Sequence, residues 1–165
     1  MMEWASFKVT RQALRGKLGL AVSLGPRLFL LANVMLLINA VVRAYDYLVI
    51  WSSGKPVPQG LSTVEAAAPL WLWSAALSVG IVLVLFGSFD PPRLLSLAWG
   101  HMVLFVVNVM IGAGSLHTAY VDDIPGGVRL GVTVLMGTAA MSAIFAVATF
   151  YRREALLELA QEADT

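Results

Sequence analysis

The sequence predicts an all-α polytopic membrane protein, with four transmembrane helices in an up-down bundle behind a short amino-terminal amphipathic helix. Three observations lead there. Four apolar stretches, 28–50, 70–89, 94–116 and 128–151, fill most of the 165 residues. Each is close to the ~20 residues a helix needs to cross ~30 Å of hydrocarbon. Their apolar character runs all the way round instead of along one stripe, which is how lipid-facing helices read. Composition agrees: 59% of residues are hydrophobic and 13% charged, with a mean hydropathy of +0.80, outside the globular range. The segments outside the spans are too short to bury cores of their own, so a single membrane domain is expected.

The leader, 1–27, is basic and amphipathic. At 100° per residue Phe7, Leu14, Leu18 and Ala21 share one strip, and Lys8, Arg11 and Arg15 form the strip beside it. Such a helix suits the bilayer interface, with its cations among anionic lipid headgroups. The leader is long before the first apolar run, and a cleaved signal peptide is not expected. Gly25-Pro26 ends this helix before the first span, 28–50.

That span carries Asn33, Asn39, Arg43 and Asp46. The spacing of four and then three puts Asn39, Arg43 and Asp46 on one helix face. Arg43 falls near the outer headgroup level, where its long stem can snorkel. An anchoring ion pair with Asp46 is the expected arrangement, beside an aromatic belt of Tyr45, Tyr47 and Trp51. The loop Ser53-Gly54-Lys55-Pro56-Val57-Pro58-Gln59-Gly60 cannot continue a helix. Glu65 then reads as a surface carboxylate in the first turn of a short capped helix.

The second span, 70–89, opens on Leu70-Trp71-Leu72-Trp73 and carries Ala76, Gly80 and Gly87. Asp90-Pro91-Pro92-Arg93 forces a hairpin into the third span, 94–116. Here His101, Asn108 and Ser115 recur every seven residues, so they form a polar stripe down one face. It reads as side-chain glue between helices, worth ~1 kcal/mol per bond, or as a wet path for a proton. Pro125-Gly126-Gly127 turns the chain into the fourth span, 128–151, where Gly131, Ala139 and Ala143 mark further close-packing faces. The tail, 152–165, extends this helix, with Glu154, Glu158 and Glu162 stacked on one side.

Charge sets the orientation. Lys8, Arg11, Arg15, Lys17, Arg27, Arg93, Arg152 and Arg153 fall on one side, against Lys55 and Arg129 on the other. Both termini are therefore expected in the cytoplasm, as in a multi-pass protein of the bacterial inner membrane. The net charge of +1 points to no partner, and a nucleic-acid role is not expected. There is no cysteine, which excludes disulfides and thiolate sites. No triad, zinc-protease motif or phosphate-binding glycine loop is present, so neither an enzyme nor a bound cofactor or metal is expected.

The hydropathy plan, the basic leader, the charged tail and the stretch Val64-Glu65-Ala66-Ala67-Ala68-Pro69-Leu70-Trp71-Leu72-Trp73 resemble the holin-like four-span membrane proteins of phages of high-GC bacteria. The resemblance implies a homo-oligomer that permeabilises the membrane, with no catalytic residue to assign. The plan is also similar to the small four-span subunit of tripartite carboxylate transporters, which implies an accessory role in a larger membrane complex.

Overall fold

The computed structural model describes residues 25–54, 63–88, 93–121 and 127–163. The amphipathic leader, with Lys8, Arg11 and Arg15, lies outside the described residues. Helix α1 (Gly25–Ser52) starts on the Gly-Pro pair, where proline suits the first helical turn because no amide donor is needed there. A short α2 (Thr63–Ala66) leads into α3 (Leu70–Ser88), α4 (Leu94–Val121) and α5 (Gly127–Thr133). After α5 the helix widens into a π segment (Val134–Ala139) and then continues as α6 (Ala140–Ala163). Four stretches, Leu30–Ser52, Leu70–Ser88, Leu94–Val121 and Gly131–Glu158, are long and apolar enough to cross a membrane. The chain is a multi-pass integral membrane protein.

Two boundaries differ from the sequence reading. The third span runs on to Val121 and takes His117 into the helix, because nothing between Leu116 and Val121 breaks a helix. The fourth is a single helical run that contains a π turn no periodicity signalled. In that turn the Ala140 amide reaches back five residues to the Leu135 carbonyl as well as to Gly137.

The helices pack in chain order. α1 lies on α3, α3 on α4, and α4 on the run from α5 to α6, while α2 caps α4. Helix α4 is the centre: half of its most apolar window is buried, against 17% of that of α1 at the periphery. Small residues set the spacing. A Cβ on Gly87 would sit 2.7 Å from the Leu97 Cα, and one on Gly100 would sit 2.6 Å from the Val84 backbone nitrogen. These contacts let α3 and α4 approach at backbone distance. Gly131 does the same for α5 against α4, with the Gly112 carbonyl 2.9 Å from its virtual Cβ. Gly80 lies against Leu104. Ala139 is buried in the π segment, and Ala76 is partly buried against the core. Ala143 is half-buried. Gly80, Gly87 and Gly131 thus serve contacts inside the chain.

Candidate functional site

The polar groups within the spans gather at two places. The first is the middle of α4. Asn108 stands fourteen residues after Leu94 and thirteen before Val121, ~20 Å from either end of the helix. Its Nδ2 donates to the Leu104 carbonyl of its own helix at 2.7 Å. Its Oδ1 accepts from two other helices: Arg43 Nη1 of α1 at 3.3 Å and Thr138 Oγ1 of the π segment at 3.2 Å. One amide therefore ties three helices together. The Thr138 hydroxyl also lies 2.9 Å from the Val134 carbonyl.

Arg43 is the correction here. It does not pair with Asp46, which is exposed. The half-buried guanidinium instead turns inward to Asn108, halfway along α4. A charge in hydrocarbon seeks any polar group its stem can reach, and the carbonyl oxygen of Asn108 is such an acceptor.

The rest of the stripe divides. His101, Asn108 and Ser115 are all buried on one face of α4. Ser115, however, spends its hydroxyl on the Ile111 carbonyl of its own helix, at 2.9 Å. Ser78, Ser88, Thr118, Ser142 and Thr149 follow the same habit. Such back-bonding satisfies the hydroxyl without linking helices. His101 makes no hydrogen bond among the described residues; its ring stacks on Phe145 of α6, with centroids 5.1 Å apart. Only Asn108 of the three acts between helices through a hydrogen bond.

The second place is the end of the bundle that carries α2. Glu65 is 6% exposed, not on the surface. Its Oε1 accepts the hydroxyl proton of Tyr47, itself buried and so absent from the aromatic belt. The Glu65 carbonyl accepts Trp73 Nε1 at 3.2 Å. Below them Ser74 Oγ donates to the Ala44 carbonyl at 2.8 Å. This cluster latches α2 to α1 and α3. The sequence held one signal for it: Ala40, Ala44 and Tyr47 recur at helical spacing, which draws Tyr47 into the inward stripe. A groove of about 480 Å³ opens beside the latch, between the end of α1 and the Ala-rich approach to α3. Tyr45, Trp51 and Trp71 stay exposed near this end.

Outside these two places stand Asn33, buried in α1 with its Oδ1 unpartnered among the described residues, and the outward flank of α1. Asn39 and Asp46 are both exposed, seven residues apart on the side of the helix that carries Arg43. Neither has a hydrogen bond or ion pair among the described residues. Among those residues no group of three or more His, Cys, Asp and Glu side chains could hold a metal ion. No protein-family model, curated protein or solved structure matches this chain.

Proposed function

We propose that this protein acts by assembling in the membrane, not through a chemical site. One observation carries the reading: a polar side chain, Asn39, faces outward at mid-depth on α1, the least covered of the four spans among the described residues. Ser74 lies four residues inside α3, and its bond to Ala44 puts α1 in register with it. Asn39, five residues before Ala44, is then ~13 Å below the start of α3, close to the midpoint of a helix ~28 Å long. An amide facing lipid tails there has nothing to bond to, whereas an amide facing another protein helix does. Holin-like permeabilisation is the activity that the sequence resemblance implies for such an assembly. The same face equally serves an accessory subunit docked on a larger carrier, and the inner membrane with both termini in the cytoplasm is the setting for either.

Reconstitution into liposomes at low protein-to-lipid ratio tests this, with mass read by single-particle photometry and permeability by dye release. The expected result is a species heavier than the 17.7 kDa monomer. Dye release from those vesicles favours permeabilisation, and tight vesicles favour the accessory role. A monomer in bilayers and in the native membrane overturns the proposal.

A further inference from the structure

We propose that the partner of α1 is α1 of a second copy, joined along the seam Met35, Asn39, Val42 and Asp46. The inference rests on the assembly reading and names its surface. These four residues are all exposed, and their spacing of four, three and four is the repeat that keeps one seam facing a parallel helix. The other exposed flank of α1, with Val34, Ile38, Val41, Tyr45 and Leu48, carries no acidic, basic or amide side chain, as a lipid-facing surface should. The two flanks of one helix therefore differ in chemistry although neither is covered by the described residues.

A second copy satisfies the seam by symmetry. Two copies in one membrane share an orientation, so a twofold axis along the membrane normal brings their α1 helices together in parallel. Each residue then meets itself or a near neighbour, as in any isologous contact. Asn39 of one copy meets Asn39 of the other, and an amide carries both donors and an acceptor, so the two can bond each other. Arg43 keeps Nη1 on Asn108, and its other N–H groups have no partner among the described residues, so one guanidinium can hold Asn108 and a second acceptor together. Asp46 stands one turn further along and has no ion pair with the Arg43 of its own chain. Across the twofold axis each Arg43 reaches the Asp46 of the other copy, and the four charges cancel. A different partner would need an acid, a base and an amide at matching depths, whereas a second copy supplies all three.

The chain has no cysteine, so single cysteines report neighbours without background. Met35→Cys and Val42→Cys lie on the seam. Val34→Cys and Val41→Cys lie one residue earlier, ~100° round the helix. The full-length variants, oxidised with copper phenanthroline in liposomes, are expected to give disulfide-linked dimer at 35 and 42 and little or none at 34 and 41. Asp46→Leu in the Val42→Cys background is expected to lower dimer yield several-fold while leaving thermal melting of the solubilised chain unchanged, since Asp46 has no partner among the described residues. Particles heavier than a monomer with no seam preference overturn the α1 pairing and leave the assembly reading standing. So does a mass that requires a different polypeptide. Monomer alone in bilayers and in the native membrane overturns both. Seam cross-linking that Asp46→Leu leaves untouched overturns the charge exchange.

Discussion

Asn108 is the residue on which the interior of the bundle turns. Its oxygen is the shared acceptor for Arg43 and Thr138, so Asn108→Leu removes both bonds and strands a guanidinium in apolar surroundings. Arg43→Leu removes the charge along with the bond and leaves Thr138 in place. The first substitution should therefore cost more than the second. A double-mutant cycle in thermal or SDS unfolding should return a coupling of about 0.6–2 kcal/mol, the range found for polar contacts between membrane helices. Additive effects would mean that the two side chains do not interact. That Asn108 mattered was legible in the sequence from its place in a seven-residue stripe. Which group it would meet was not. Arg43 and Asp46 are neighbours along one helix, and local spacing favours their pairing. Only the packing of α1 across α3 brings Arg43 within reach of α4. Glu65 was misread for the same reason: a carboxylate in the first turn of a short helix reads as a surface cap until Tyr47 and Trp73 close over it.

At the scale of helices, glycine means two different things. Gly100 faces the backbone of α3, with the Val84 nitrogen 2.6 Å and the Gly80 carbonyl 2.9 Å from a virtual Cβ. Gly137, in the π segment, has nothing within 4 Å. The same substitution should then have opposite signs. Gly100→Ala forces α3 and α4 apart and should destabilise by about 1–3 kcal/mol, as overpacking does. Gly137→Ala adds a methyl to open space and should stabilise by about 0.5–1 kcal/mol through the helical preference of alanine. Melting of the two variants in one detergent compares them directly, and equal shifts would contradict the packing described. The four spans and their breakers were readable because apolar length and proline are local properties. The π segment was not, because its widened turn keeps the same residues apolar and leaves no trace in periodicity.

The whole molecule is a bundle with α4 at its centre and α1 at its periphery, so its orientation in the membrane fixes which loops meet which compartment. The Lys and Arg asymmetry predicts both termini in the cytoplasm. Reporter fusions at Thr165 and Gly54 should be active only in cytoplasmic and external assays, respectively. The reverse pattern would invert the topology without altering the fold, since an even number of spans keeps the two ends together. The class of the molecule was the most legible property of all, because burial in lipid demands composition before it demands contacts.

Unequal helix lengths carry a consequence for the surrounding bilayer. Helix α3 has 19 residues and α4 has 28, ~28 Å against ~42 Å. They are clamped together through Gly87 and Gly100, so they cannot slide to share the difference. The shorter helix sits slightly below the ~30 Å of average hydrocarbon, while α4 must tilt or project. A thick, sterol-rich membrane would stretch the lipid mismatch around α3, at a cost of fractions of a kcal/mol per Å. The fold thus presents the lipid with one short span beside three longer ones, so its helices respond unequally to a change in bilayer thickness.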